Sequence, residues 1–339
     1  MDEAHIGAQS VRFAAAPSIL AFAAVGGKKE SEGPLHDAFD RLSVDTTFGE
    51  TSWEKAESRL QALALETAAG KLGAPVGALD VLFAGDLLNQ CIGSAFALRE
   101  TGVPLLGLYG ACSTMAEALM LAAAAVNAGY ARRAAALTSS HFASAERQYR
   151  FPLGYGGQRT PTAQWTATAA GCCIVGQAAQ GPYVTGATAG RIVDLGITDA
   201  NNLGAAMAPA AVDTLERHFQ DFHRSPADYD LIVTGDLGAL GKQIVQEQMA
   251  TDGYDLSQNY ADGGVLLIDE KRQDVHAGGS GCGCSAGVLC GYLLRRMQEG
   301  SLRRLLFCGT GALLSPVSTW QGESIPGICH AVVISTERR

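Results

Sequence analysis

Charge is scarce in this chain, at 17% of 339 residues, and it leans acidic: 25 Lys and Arg against 34 Asp and Glu give a net charge of -9. The basic residues are scattered, with no run able to track a phosphate backbone, so nucleic acid is not expected as a partner. A small anion would have to be met locally, by a few arginines or by helix N-termini, because the overall field repels it. Long hydrophobic runs are also lacking. The stretch from Val11 to Val25 is too short to span a bilayer and ends in Gly26-Gly27-Lys28-Lys29 without a stop-transfer pattern, so it reads as a buried first strand. A secretory signal is the competing reading, since Ala21-Phe22-Ala23 resembles a cleavage site, but the residues ahead of it are acidic as well as basic. No lipid-anchor motif or basic amphipathic helix stands out, so a soluble chain is expected.

The nine cysteines lack any framework spacing. Their number is odd, and the adjacent pair Cys172-Cys173 cannot readily serve a set of disulfides, which points to a reducing compartment. Neither that pair nor Cys282-Gly283-Cys284 has the spacing of a structural zinc site, so both read as small residues in crowded segments. The glycine run from Gly278 to Gly283 lacks the Lys-Ser/Thr ending of a phosphate-binding loop and does not match the dinucleotide fingerprint.

What the chain does have is 47% hydrophobic residues and 41 glycines, the composition of a tightly packed, turn-rich globular protein. Its length exceeds the size at which one core usually stops growing, so two packed halves are expected. A repeat at half-chain scale supports this. Asp80-Val81-Leu82-Phe83-Ala84-Gly85-Asp86-Leu87 is matched by Asp230-Leu231-Ile232-Val233-Thr234-Gly235-Asp236-Leu237, and each follows an amphipathic helical segment. Downstream, Gly110-Ala111-Cys112-Ser113 opens a small-residue run that ends at Gly129, with Arg132-Arg133 and an apolar strand after it. Gly283-Cys284-Ser285 opens a helical run to Gly300, then Arg303-Arg304 and the strand from Leu305 to Cys308. Two matches in one order predict duplicated α/β halves, placed at 1–190 and 191–339. The helix from about Ser113 to Asn127 is apolar on every side, as a helix at the centre of a large protein should be.

Cys112 lies where the apolar strand from Leu105 to Tyr109 turns into that helix. A helix start favours the thiolate and can supply an oxyanion hole, although a small residue chosen for packing would occupy the same place. A reactive cysteine needs a base, and among seven histidines His141 and His276 lie closest to the informative segments. The stretch from Arg147 to Trp165 clusters Arg150, Arg159, Tyr149, Tyr155 and Trp165, which suits a planar anion held by guanidinium forks and stacking; a dimer loop is the equal alternative.

With Ala111-Cys112-Ser113 at a buried helix start, the duplicated chain resembles the thiolase and 3-oxoacyl synthase superfamily over nearly its whole length. Three stretches resemble one branch in particular, the stage V sporulation protein AD family: Gly110 to Met115, Leu137 to Glu146, and His276 to Ser285. The resemblance implies an α/β thiolase-like fold with layers in the order α-β-α-β-α, and a homodimer. It implies binding of dipicolinic acid (pyridine-2,6-dicarboxylate) and its movement into the developing spore, with other proteins of the same sporulation operon at the spore inner membrane. No protein-held cofactor or metal is expected; calcium would enter only as an ion carried with dipicolinate. Condensing enzymes of the superfamily place a His, and an Asn or second His, where this chain has Thr234-Gly235-Asp236 and Gly278-Gly279-Ser280. Catalysis is therefore not expected, and Cys112, His141, Arg159, Trp165, Asp236, His276 and Ser280 are the candidate ligand residues. The rival reading is a divergent acyl-transferring enzyme in which Cys112 is acylated and His141 or His276 acts as base. A third is a structural partner in a membrane-associated assembly.

Overall fold

The computed structural model describes residues 4–149 and 159–338. Ten strands carry the architecture: β1 (Ser18–Gly26), β2 (Val81–Gly85), β3 (Leu105–Gly107), β4 (Arg133–Ser140), β5 (Ala169–Gly176), β6 (Tyr183–Thr188), β7 (Leu231–Thr234), β8 (Tyr260–Asp262), β9 (Arg304–Ala312) and β10 (Gly327–Ser335). They are hydrogen-bonded in the order β8-β7-β9-β10-β6-β1-β5-β4-β2-β3. Read outward from the β6/β1 junction, both halves repeat one pattern. β2 is parallel to β3 and β4, while β4, β5 and β1 run antiparallel in turn. β7 is likewise parallel to β8 and β9, while β9, β10 and β6 run antiparallel. A single Tyr183↔Ser18 pair joins the half-sheets.

The repeated Asp and Arg-Arg sequences have the same physical job in each half. Asp80 Oδ2 accepts from the amides of Arg132 and Arg133 at 2.7 and 2.9 Å. Asp230 Oδ2 accepts from those of Arg303 and Arg304, again at 2.7 and 2.9 Å. Each carboxylate pins the turn into the next strand, so the duplication read in the sequence is a duplicated strand clamp.

Helices complete five layers. Helix α1 (Trp53–Leu72) covers the outer face of the first half-sheet, and α2 (Ile92–Leu98) packs beside it. Helix α3 (Thr114–Asn127) and the segment from Cys282 lie between the half-sheets, and α4 (Leu203–Phe222) with α5 (Gly238–Thr251) covers the second. The α-β-α-β-α arrangement follows from composition: α3 is built of Ala, Leu and Met, and Met115, Leu119, Ala122 and Ala123 are fully buried against both sheets. Close approach needs glycine on the facing strand. A Cβ on Gly311 would stand 2.4 Å from the Gly110 carbonyl, and one on Gly283 would stand 2.2 Å from that of Ala169.

Two local expectations change. The stretch from Val11 to Val25 is not one strand: Ser10–Arg12 pairs with β6, and a turn with Ala16 at φ 41° leads through Pro17, which has no N–H to give a ladder, into β1. The run after Gly281 is helical from Cys282 to Gln298, but its middle, Val288–Leu293, is a π-helical turn. Of the aromatic and arginine stretch, Arg150, Phe151, Pro152, Tyr155 and Gln158 lie outside the described residues. Among the described residues no helix is long and apolar enough to cross a membrane.

Candidate functional site

The turn that presents Cys112 is held by its own side chains. The Gly110 amide donates to Thr114 Oγ1 at 3.0 Å, Thr114 Oγ1 donates to the Ala111 carbonyl at 2.7 Å, and Ser113 Oγ donates to the Gly110 carbonyl at 2.7 Å. Ala111 is locked at φ 50°, a left-handed conformation that costs a residue with a Cβ about 1–2 kcal/mol. Strain of this kind persists only where surrounding contacts determine it, and it aims Cys112 into a small cluster with Leu87, Ala145 and Cys282.

The second half reaches the thiol from β7 and from the glycine loop ahead of Cys282. Asp236 Oδ2 accepts from the Gly281 amide at 2.7 Å and from Ser280 Oγ at 3.1 Å, while Oδ1 accepts from Thr310 Oγ1 at 2.9 Å. The same carboxylate is fully buried and lies close enough for its charge to act on the Cys112 thiol. Burial raises the Asp236 pKa to about 6, and its hydrogen bonds pull the other way. Burial first, and then the Asp236 charge, push the Cys112 thiol well above its ordinary range. The expectation that the helix start favours a thiolate is thus reversed: beside an anion and away from water, the neutral thiol is the stable form.

The wall continues outward. Trp165-Thr166 pairs in parallel register with Gly279-Ser280, so the Trp165 backbone adjoins the strand that delivers Ser280 to Asp236. The Trp165 ring stacks on Phe142 with centroids 3.9 Å apart and 9° between planes, and Arg159 Cζ lies 4.0 Å from its centroid. A cavity of about 230 Å³ opens nearby, lined by Leu87, Gln90, Cys91, Tyr109, Gln148 and Leu314 among others. Leu87 lines this cavity and also belongs to the Cys112 cluster.

Of the sequence candidates, Cys112, Asp236 and Ser280 therefore meet, with Trp165 and Arg159 on the adjoining wall. His141 does not join them. Its Nε2 bonds the Thr46 carbonyl at 2.7 Å, its Nδ1 accepts from the Ala143 amide at 3.2 Å, and the ring stacks on Trp53. Both nitrogens are occupied and burial lowers its pKa, so in this arrangement it takes no proton from Cys112. His276 lies at the exposed rim with Nδ1 2.7 Å from the Thr160 carbonyl. Thr310, Gly281 and Gln164, whose amide donates to the Asp236 carbonyl at 2.6 Å, were not singled out by sequence. The repeat holds a signal for Thr310: it follows Arg304 by the same interval as Ser139 follows Arg133. Among the described residues no group of three or more His, Cys, Asp or Glu is placed to hold a metal ion.

The fold and the position of its cysteine define the class. The structure is similar to 3-oxoacyl-[acyl-carrier-protein] synthase III from Aquifex aeolicus VF5 (TM-score 0.59, 12% identity, 94% of this chain and 99% of that one). It is similar in the same degree to a variant of OleA from Xanthomonas campestris (TM-score 0.59, 12% identity, 98% and 100%). At such identities the likeness shows a thiolase-type fold. The sequence is more specific: residues 7–335 match the family model described as stage V sporulation protein AD. The chain is also 44% identical over 307 residues to stage V sporulation protein AD of Bacillus subtilis (strain 168), covering 91% of this chain and 90% of that protein. The chain belongs to the stage V sporulation protein AD family.

Replacing Asp236 removes the anion that disfavours the thiolate. Asp236→Asn is expected to speed iodoacetamide labelling of Cys112 at pH 8 severalfold or more, read by peptide mass spectrometry on protein with an unchanged circular dichroism spectrum. An unchanged or slower rate would show that Asp236 does not set the state of this thiol.

Proposed function

We propose that this chain is a non-catalytic binding protein for dipicolinic acid that serves its movement into the developing spore, acting with other proteins of the same operon at the spore inner membrane. The observation that carries the reading is the buried Asp236 carboxylate whose charge acts on Cys112. A condensing nucleophile needs a base that removes its proton and donors that stabilise an oxyanion. Here the charge acting on the thiol is that of a carboxylate, an anion that holds the proton on sulfur and repels a developing negative charge.

What is left is suited to recognition. Small-molecule sites are mostly apolar clefts with a few aimed polar groups, and the 230 Å³ cavity is below the about 300–1,000 Å³ usual for larger ligands, which fits a single-ring acid. Its apolar members include Leu87, Tyr109, Leu314 and Pro316, and Asn89, Gln90 and Gln148 bring amide groups. Cys112, Asp236 and Ser280 would form the floor, and Trp165 and Arg159 the outer wall, with His276 at the rim.

A homodimer completes the proposal. Among the described residues β3 ends the sheet with only β2 beside it, which leaves its outer N–H and C=O groups along an edge. Leu106, Tyr109 and Phe96 are 46%, 49% and 53% exposed there and on the neighbouring helix, an apolar surface suited to a second copy across a two-fold axis.

Calorimetric titration should give saturable heat with pyridine-2,6-dicarboxylate, with or without calcium, and none with pyridine-3,4-dicarboxylate. Cys112→Ala should weaken the binding severalfold. Full affinity in that variant would put the site elsewhere, and no heat from the wild type would remove the ligand from the proposal. In sedimentation velocity the wild type should run as a dimer and Leu106→Glu as a folded monomer; a monomeric wild type would contradict the interface.

A further inference from the structure

Behind the wall of the 230 Å³ cavity, two carboxyls are buried without a cation to balance them. Glu57 on α1 and Asp86 just after β2 are both fully shielded from water, and among the described residues their hydrogen-bond partners are hydroxyls and amides alone. Asp86 Oδ1 accepts from the Leu88 amide at 2.9 Å, and its Oδ2 accepts from the Ser94 amide at 2.7 Å and from Ser94 Oγ at 2.6 Å. Between those anchors Gln90 and Cys91 take φ 59° and 52°, two consecutive left-handed residues with side chains. Strain of this kind persists only where surrounding contacts impose it. Ser144 Oγ donates to Glu57 Oε2 at 2.6 Å and Ser139 Oγ to Oε1 at 3.3 Å; both partners are hydroxyls, which serve a neutral carboxyl as well as an ionised one.

Each carboxyl holds one wall of the cavity. Leu87, Asn89, Gln90 and Cys91 line it from the segment that Asp86 anchors, and Gln148 lines it from the helix Phe142–Tyr149, one turn beyond Ser144. The Asn89 amide donates to Gln148 Oε1 at 2.9 Å and joins the two walls. Gln61 joins the two carboxyl networks, its Nε2 lying 3.0 Å from Ser94 Oγ and 3.3 Å from Ser139 Oγ.

The charges that act on Glu57 oppose its ionisation. Burial first and then the Asp86 charge push it well above its ordinary value of 4.5; Glu54 on the same helix adds to this, while the Ser144 and Ser139 hydroxyls pull the other way. Burial raises Asp86 as well. Among the elements packed around Glu57, β1, β2 and α2 carry no titratable side chain besides the cysteine that precedes α2, and β4 carries only Arg133 at its far end. Cys91, Tyr109, Cys172 and Cys282 are pushed up by burial and stay neutral. The basic groups nearby are engaged elsewhere, His141 by the Thr46 carbonyl, Arg147 by Glu54 and Arg59 by Glu66.

We infer that Glu57 and Asp86 form a proton-held clamp on the cavity: a proton on Glu57 keeps the two walls together, and its loss sets two buried anions against each other and loosens both the Leu88 to Ser94 turn and the Ser144 to Gln148 segment. Two like charges out of water, with no cation between them, have no other way to relax than to admit water. The role is one of positioning, and it does not depend on which ligand the cavity takes. Its sign follows from linkage. The closed wall keeps a proton that a hydrated Glu57 releases above about 4.5, so closure weakens as pH rises from there to the folded value, by up to about tenfold per pH unit, and stays weakened above it.

The test is amide hydrogen exchange of the full chain at pH 5.5 and pH 7.5, read by peptide mass spectrometry and corrected for the intrinsic pH dependence of exchange. The clamp predicts that protection of peptides spanning 86–96 and 142–149 falls about tenfold or more between the two pH values, with a smaller change elsewhere in the chain. In Glu57→Gln, which keeps a neutral side chain of the same shape, protection of both peptides should stay level. No fall in the wild type, a fall in one wall only, a fall spread evenly over the chain, or an equal fall in Glu57→Gln would each overturn the clamp. Should Glu57→Gln not fold, Glu57→Met removes the titrating group in its place, and the wild-type profile alone can still refute the clamp.

Discussion

The carboxylate of Asp236 is the constraint around which the centre of this protein is organised. It follows β7, takes hydrogen bonds from Thr310 on β9 and from Ser280 and Gly281 in the glycine loop, and its charge acts on the thiol of Cys112 in the opposite half. A buried carboxylate is tolerated only when its lone pairs are satisfied, so the segment after β7, β9 and the glycine loop are fixed relative to one another by the cost of leaving any donor out. Burial first, and then the charge of this carboxylate, push the Cys112 thiol well above its ordinary range, while Ser280 and Gly281 pull the other way.

Close contact between the halves makes this possible. The Cys112 turn lies directly on β9 because Gly309 and Gly311 present no side chain to it; a Cβ on Gly309 would stand 2.8 Å from the Ser113 carbonyl. The glycine loop reaches Asp236 because Gly281 takes φ 100°, open to few residues with a side chain. Packing, backbone conformation and charge burial therefore converge on one point between two sheets that are otherwise alike.

Much of this was legible in the sequence. The two Asp-to-Gly strand motifs and the two Arg-Arg turns reported the duplication, because each repeat encodes one strand and the clamp that fixes it. The uniformly apolar run of α3 reported its central place. Asp236 and Ser280 were found because resemblance to condensing enzymes marked their positions. His141 shows the limit: a histidine after a strand in the same half as the cysteine looks like a base, but the direction of its ring is set by the Thr46 carbonyl, far away in sequence. Glu57 shows another, since its burial beside Asp86 depends on tertiary packing that no local pattern encodes. Thr310 was hidden in an apolar strand as a residue whose role appears only when the two halves are superposed.

The central claim is that burial and the Asp236 charge hold the cysteine in the family's nucleophile position as a neutral thiol. Intact-protein mass spectrometry after incubation with acetyl-coenzyme A and with a longer acyl thioester tests it most directly, with peptide mapping of Cys112. The account predicts no stoichiometric acyl adduct at Cys112 in the wild type. A rapid, stoichiometric adduct there, lost in Cys112→Ala, would contradict it and make the chain an acyl-transferring enzyme.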